Sequence, residues 1–208
     1  TTNSVIAYLD ESGEPRVHKL VMEEGNLVPS AVRIEADRVI TGTEAMRLKI
    51  QGMDVYTGFK RDIGTGKVYE TTATMEITPE SLSTFVLKKL ASDFTNEHSD
   101  PLANAVITYP ANFQDDKREA TLSAGKLADL PVELGINEPT AAALYFAVHE
   151  DISPGKYAVY DFGGGTWDIS IINIDSAALK KGGIEATESH GLTECGGADF
   201  DNALRGLV

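Results

Sequence analysis

The chain has 208 residues, of which 42% are hydrophobic, and its formal net charge is −14. This composition supports one large domain or two small ones, while the acidic charge argues against nucleic acid as a partner. No apolar run is long enough to span a bilayer, and the single cysteine, Cys195, excludes an internal disulfide, so we expect a soluble protein of the reducing cytoplasm without a membrane partner.

The predicted elements begin with a hairpin. Residues 5–9 and "RVHKLV" are β-prone runs on either side of "DESGEP", which has the residues of a turn. Residues 26–68 contain only short, mixed signals. A long helix is then predicted, with Thr78 as N-cap and Pro79 at its first position. One face of this helix is apolar: Leu82, Phe85, Val86, Leu90 and Phe94.

Strands and helices alternate in the next segment. "ANAVITYP" and "PVELGI" predict strands, whereas residues 115–129 and "EPTAAALYFAVHE" predict helices. This order is typical of an α/β sheet with crossover connections. After a "SPG" turn at 153–155, where we place a lobe boundary, "KYAVYDF", "TWDISIINI" and "GGIEATESHG" predict an antiparallel meander. A last helix is expected to start in "DFDNALRGLV".

The turn inside this meander, "DFGGGTWD", is the first candidate site. Glycines at 163, 164 and 165 can take positive φ, and consecutive amides in such a turn can form an anion-binding nest. Asp161 and Asp168 flank the turn, and carboxylates beside a phosphate suit a divalent cation held between them. The alternative is a glycine-rich hairpin loop with solvated acids.

Two better-known phosphate loops are excluded. The dinucleotide-binding GxGxxG turn opens a helix, whereas a strand follows the glycines here. "GTGKV" at 64–68 lacks the upstream glycine of a Walker A loop and has Val68 at the Ser or Thr position. Taken alone, Glu138 could interact only with a helix dipole, and Lys60 could be merely solvated. The four histidines show no metal-ligand spacing.

Six motifs together carry a family resemblance: "TTNSVIA", "KRDIG", "AVITYPANFQDDKREAT", "INEPTAAAL", "DFGGGTWDISI" and "GGADFDNAL". In this order they resemble DnaK-type chaperones, the 70-kDa heat-shock family, over nearly the whole chain. The resemblance implies an α/β fold of the actin-like ATPase (ribonuclease H-like) type, with two lobes around a nucleotide cleft. We expect residues 1–154 to form lobe I, with a trimmed outer subdomain at about 29–78. Residues 155–208 would begin an incomplete lobe II, so the chain, which starts at Thr1, is expected to be a fragment.

The resemblance also implies roles for individual residues. Lys60 would reach the γ-phosphate and the attacking water, and Glu138 would help orient that water. Asp161 and Asp168 would act on Mg²⁺ or K⁺, partly through water, and Thr166 would place a hydroxyl near the γ-phosphate. The implied nucleotide contacts are Thr1, Thr2, Asn3, Gly163, Gly164, Gly165, Thr166, Gly196 and Gly197. Pro110 and Arg118 would relay the nucleotide state to a substrate-binding domain.

The implied cofactors are ATP or ADP and Mg²⁺, with K⁺ as a further candidate. The implied partners are unfolded peptide, bound through a C-terminal domain outside this chain, a J-domain co-chaperone and a nucleotide exchange factor. The fragment alone is expected to hydrolyse ATP weakly or not at all. Two alternatives remain open: a nucleotide-binding scaffold without turnover, and another ATPase of the actin-like superfamily, such as a sugar kinase or a filament-forming protein.

Overall fold

The computed structural model describes residues 2–20, 23, 25–73, 75–98, 102–150, 152–175, 185–192 and 195–207. The chain divides into two compact units. The first unit consists of Thr1–Ala105 and Glu119–Glu133, and the second of Val106–Arg118 and Leu134–Val208. Among the described helices, none combines the length and the apolar character that crossing a membrane requires.

Short antiparallel strand pairs make up much of the first unit. The predicted hairpin is confirmed as β2 and β3, with Tyr8 opposite Arg16. In a three-stranded sheet, β5 lies between β6 and β7; β1 pairs with β4 and β8 pairs with β9. The bounds are β1 Asn3–Ser4, β2 Ala7–Leu9, β3 Pro15–Val17, β4 Val28–Pro29, β5 Ala31–Ile34, β6 Val39–Thr41, β7 Tyr56–Thr57, β8 Glu70–Thr71 and β9 Glu76–Ile77.

The long helix α2 (Pro79–His98) organises the core of this unit, as its apolar face predicts. It begins with reciprocal hydrogen bonds, since Ser81 N donates to Thr78 Oγ1 at 3.2 Å and Thr78 N donates to Ser81 Oγ at 2.9 Å. These bonds satisfy amide groups that a helix start leaves without partners. The buried residues of the cluster, to which α2 contributes three, are Leu20, Val28, Val32, Phe59, Ile77, Leu82, Val86 and Leu90.

A buried ion network fixes α1 (Thr43–Ile50) against α2. The carboxylate of Glu23, whose side chain is 2% exposed, lies 3.2 Å from the ammonium of Lys89. It also accepts hydrogen bonds from the backbone amide and the hydroxyl of Thr43, the first residue of α1. Lys89 in turn lies 2.9 Å from Asp93. A residue twenty positions upstream therefore supplies the N-terminal cap of α1.

The second unit contains the predicted antiparallel meander, which is confirmed. β12 (Gly155–Phe162), β13 (Trp167–Ile174) and β14 (Glu185–Leu192) pair in that order. Residues 182–184 of the predicted third strand lie outside the described residues. α4 (Glu138–His149) packs on this sheet, with Ala143 in a cluster with Ile172 and Ile174.

The predicted alternation of strands and helices is also confirmed. β10 (Ala105–Tyr109) pairs with β11 (Val132–Asn137), and α3 (Asp115–Leu127) lies between them in sequence. The helix ends two residues before the predicted end, because Asp129 has a φ of 60° and a left-handed residue cannot continue a helix. The last helix, α5 (Gly197–Arg205), starts two residues earlier than "DFDNALRGLV" predicts.

Candidate functional site

The glycine turn joins β12 to β13, where Asp161 lies opposite Asp168 and Phe162 opposite Trp167. One hydrogen bond closes the turn, from Gly163 N to Thr166 O at 2.9 Å. Within the described residues, the amides of Gly164, Gly165 and Thr166 donate no hydrogen bond to the protein. Three consecutive amides without a protein acceptor are what an anion-binding turn requires.

A close approach of two backbone segments, and not positive φ, explains the glycines of this turn. Positive φ is found at glycines 13, 25, 42, 52, 58, 64 and 66 of the described chain, and not at 163–165. The glycines at 163–165 therefore do not use the positive φ that glycine permits. The turn is instead closely approached by another glycine: a Cβ added at Gly196 would lie 2.6 Å from Gly165 N and 2.7 Å from Gly164 C. Small residues are needed here because two backbone segments pack directly against each other.

Backbone hydrogen bonds join the start of α5 to the turn. Gly197 N donates to Gly163 O at 3.1 Å, and Ala198 N donates to Gly164 O at 2.9 Å. The carboxylate of Asp199 accepts the amide of Gly196 at 2.8 Å. The structure thus brings Gly196 and Gly197 to the glycine turn, while their contact with a phosphate stays a prediction. Asp199 is a further acid at this place that the sequence analysis missed, although "GGADFD" contains it.

The two flanking aspartates differ in exposure. Asp168 is 4% exposed, whereas Asp161 is exposed to solvent. Cross-strand partners point to the same face of a sheet, so both carboxylates lie on one side of the hairpin. A Cβ added at Gly191 would stand 2.1 Å from Asp168 Oδ1 and 2.6 Å from Asn112 Nδ2. Asn112 is therefore a second neighbour of the site that no sequence signal indicated.

Glu138 is the first residue of α4 and is half-buried, following Asn137 and preceding Pro139. Nearby polar atoms are buried without a hydrogen-bond partner in the described chain: Asn137 Oδ1 and Thr140 Oγ1, with Thr140 only 6% exposed. Buried polar groups normally have partners, so this unused capacity indicates a place for water or a ligand group. The "NEPT" segment is thus built as part of a polar site.

Pro110 and Arg118 lie on one continuous segment around the start of α3. Pro110 is buried, and its carbonyl accepts the amide of Phe113 at 3.1 Å. The Arg118 guanidinium carbon lies 5.7 Å from the ring centre of Tyr109. The segment borders a pocket of about 460 Å³, lined by Ala111, Asn112, Phe113, Gln114, Asp115, Asp116 and Arg118. Arg118 therefore lies against Tyr109, the residue that precedes Pro110, and the relay itself stays a prediction.

The remaining predicted residues belong to the first unit. Thr1 lies outside the described residues. Thr2 accepts the amide of Ser30 at 2.8 Å, and Asn3 pairs with Pro29 in the β1–β4 ladder. Lys60 is half-buried in a 3₁₀ turn (Phe59–Asp62) whose first residue, Phe59, is part of the core.

The next feature is the arrangement of side chains that could bind a metal ion. Across the described part of the chain, no three His, Cys, Asp or Glu side chains come together to hold a metal ion. Mg²⁺ usually keeps several waters and takes only one or two carboxylates along with substrate phosphates. Asp161 and Asp168 provide two carboxylates beside the turn.

The chain also matches a known protein family. The family model described as Hsp70 protein covers residues 1–208. The match includes the glycine turn, Lys60, Glu138 and the segment that joins α5 to the turn.

Proposed function

The chain belongs to the Hsp70 family, and from this premise we propose that it binds and hydrolyses ATP in a DnaK-type chaperone whose nucleotide state controls the binding of unfolded peptide. Membership makes the chain a chaperone nucleotide-binding domain of a family of ATPases with an actin-like fold. The mixed α/β architecture with small sheets is consistent with that fold. Beyond family membership, we propose three properties: the DnaK-type activity, its coupling to peptide binding, and a cytoplasmic location.

The glycine turn carries this proposal. Its three amides without a protein acceptor suit the phosphate oxygens of a nucleotide. Such a local site can hold an anion despite the formal charge of −14, because backbone dipoles act at short range. The amides of Gly164, Gly165 and Thr166 would contact phosphate, and the Thr166 hydroxyl would add a donor.

The acidic residues fit a bound divalent cation. Asp168 is buried beside the turn and Asp161 is its cross-strand partner, so these two would hold Mg²⁺, or K⁺, partly through water. The cation would supply positive charge next to the phosphates. Glu138 would orient a water molecule, and Lys60 would stabilise negative charge on the phosphate oxygens. The roles of Lys60, Thr1, Thr2 and Asn3, all in the first unit, rest on family membership alone.

The partners follow from the same proposal. Unfolded peptide would bind a C-terminal domain outside this chain, and a J-domain protein and an exchange factor would control the cycle. Pro110 and Arg118, neighbours through Tyr109, would pass the nucleotide state to that domain. Slow hydrolysis gated by a conformational step would suit such a switch.

The test is single-turnover ATP hydrolysis by the full-length protein that contains this chain, with and without an unfolded peptide. We expect peptide to accelerate hydrolysis and Lys60→Ala to abolish it. Lys67→Ala is the matched control, since Lys67 is a nearby lysine paired with Asp62 at 2.7 Å. Hydrolysis that ignores peptide would refute the coupling, and hydrolysis that survives Lys60→Ala would remove Lys60 from the catalytic residues.

A scaffold that binds nucleotide without turnover is the second candidate. It rests on the same glycine turn, because three amides without a protein acceptor among the described residues can hold a phosphate whether or not the nucleotide is hydrolysed. The same experiment separates the two: calorimetric ATP binding without any single turnover supports the scaffold, and measurable turnover excludes it.

A further inference from the structure

Two histidines that are far apart in sequence form a hydrogen-bonded pair in the first unit. His18, which follows β3, is 3% exposed, and His98 is the last residue of α2. The distance from His98 Nε2 to His18 Nδ1 is 3.2 Å. The pair therefore connects the end of α2 to the β2–β3 hairpin.

Aromatic rings and one carboxylate surround the pair. The His98 ring stacks on Phe94 at 4.2 Å, and the Tyr8 ring lies 4.7 Å from His98. On the other side of the His18 ring, Nε2 lies 3.8 Å from the Glu97 carboxylate. Among the described residues, the titratable groups placed against the pair are thus Glu97, from α2, and Tyr8, from β2.

The hydrogen bond between His18 and His98 can persist when the pair takes up one proton, but not when it takes up a second. With the pair neutral, one facing nitrogen donates and the other accepts. With one proton added, a charged His18 can donate Nδ1–H to His98 and point its other N–H at Glu97. A second proton makes both facing nitrogens donors, 3.2 Å apart, and places two positive charges side by side among aromatic rings.

We propose that the His18–His98 pair is a proton-sensitive latch, which holds the last turn of α2 on the β2–β3 hairpin at neutral pH and releases it in acid. Histidine is the side chain that changes charge in the range of about pH 5 to 8, and two charged imidazoles in contact repel each other. Release would expose Phe94 and Tyr8 while the rest of the α2 core stays packed. This device is independent of nucleotide binding.

The chain contains a natural control. His149 is the last residue of α4 and lies 4.3 Å, ring to ring, from Tyr145. Like His98, His149 is the last residue of its helix and has an aromatic neighbour. Unlike His98, its ring lies against a tyrosine and not against a second histidine. The end of α4 should therefore not open in acid through this mechanism.

Amide hydrogen exchange, corrected for the intrinsic effect of pH, tests the latch. Between about pH 7.5 and pH 5, we expect the protection of Thr95–His98 to fall at least about tenfold in the parent chain, with no comparable fall at the end of α4. His98→Gln, which keeps a polar side chain and cannot be charged, should abolish the fall, and His149→Gln should leave it intact. An equal fall in His98→Gln, or none in the parent, overturns the proposal.

Glu97→Gln tests the same latch without removing either histidine. Since the carboxylate favours the singly protonated pair, its removal should move the proton uptake of the pair to lower pH in an NMR titration of the imidazole signals, and an unchanged titration would contradict the role of Glu97. In this variant the fall in protection should still occur, moved to lower pH together with the proton uptake, and its absence over the whole range in which the pair takes up protons would overturn the two-histidine mechanism.

Discussion

The carboxylate of Asp168 and the backbone of Gly191 are in direct contact: a Cβ at residue 191 would stand 2.1 Å from Asp168 Oδ1. Gly191→Ala should therefore displace the buried carboxylate or the Asn112 amide, which would lie 2.6 Å away. We expect a loss of about 1–3 kcal/mol in the free energy of unfolding and weaker binding of Mg–ATP. Chemical denaturation and calorimetry measure the two effects.

Gly155→Ala is the control for this change. Gly155 also lies in a strand of the meander, but its added Cβ would meet its nearest atom at 3.7 Å, an ordinary contact. If both variants lose the same stability, the contact with Asp168 is not what requires glycine at position 191.

A second prediction concerns the junction of the glycine turn with α5. Gly196→Ala places a Cβ 2.6 Å from Gly165 N, so the two backbone segments must separate. Gly197→Ala places one at 3.7 Å from Gly164 Cα, which requires no movement. We expect Gly196→Ala alone to weaken nucleotide binding, by at least about tenfold if the turn amides move by a few tenths of an ångström. Equal affinities of the two variants in a titration would show that the junction does not shape the site.

A third prediction concerns the buried ion network. Gly42 has a φ of 76°, and its added Cβ would lie 2.5 Å from Glu23 Oε1. Gly52, with a φ of 85°, has no atom within 4 Å. Both alanine variants should lose about 1–2 kcal/mol from backbone strain, and Gly42→Ala about 1–3 kcal/mol more because it disturbs Glu23. Urea denaturation measures this difference. Equal losses would show that the Glu23 side chain moves away from the new Cβ without a cost in stability.

The same network predicts a role for Lys89. Burial alone would lower the pKa of Lys89, but hydrogen bonds and charge from Asp93 and Glu23 outweigh it and raise the pKa above its usual value. Lys89→Met would leave the Glu23 carboxylate buried with Thr43 as its one remaining donor among the residues that the structure describes. We expect a loss of about 1–3 kcal/mol in urea denaturation. A Lys88→Met variant, at a more exposed lysine, should lose far less, and a similar loss there would contradict this account.

A fifth prediction concerns alkaline pH. Burial first, and then the hydrogen bond from Tyr69 Oη to Asp62 at 2.6 Å, raise the pKa of Tyr69 well above its usual value. Below about pH 10 the phenol is neutral in both folded and unfolded chains. Above it, the unfolded chain loses this proton while the folded chain keeps it, so stability falls as pH rises.

Tyr69→Phe should therefore flatten the decrease in stability above about pH 10, while costing about 1 kcal/mol at neutral pH for the lost hydrogen bond. Urea denaturation at a series of pH values measures both effects. If the variant loses stability in alkali as steeply as the parent, the group responsible is elsewhere.

Elements with strong local signals could be predicted from the sequence. α2 has its cap, its proline and its apolar face within one segment, and the meander has three β-prone runs with short turns. The strands within residues 26–68 could not be predicted, because they have only two to four residues, and the pairings of β4 with β1 and of β7 with β5 each join positions more than twenty residues apart. The cap of α1 illustrates this, since Glu23 lies in a different segment of the chain.

The candidate site shows the same division. The glycine turn and its two aspartates are adjacent in sequence, so a local pattern indicated them. Asn112 reaches Asp168 only through the fold, and Gly196 meets Gly165 across thirty intervening residues that include the two strands β13 and β14. The local pattern could not indicate why residue 165 is glycine, because a close approach by a distant segment leaves no trace in local spacing.

The link between the turn and α5 is made by backbone atoms on both sides, from Gly197 and Ala198 to Gly163 and Gly164. The side chain of Ala198 is exposed and takes no part in these bonds. A substitution at residue 198 can therefore change the charge beside the site while leaving its scaffold intact. Changes of the side chain at residue 198 can thus alter the affinity of the site during evolution, while the backbone hydrogen bonds keep the turn and α5 together.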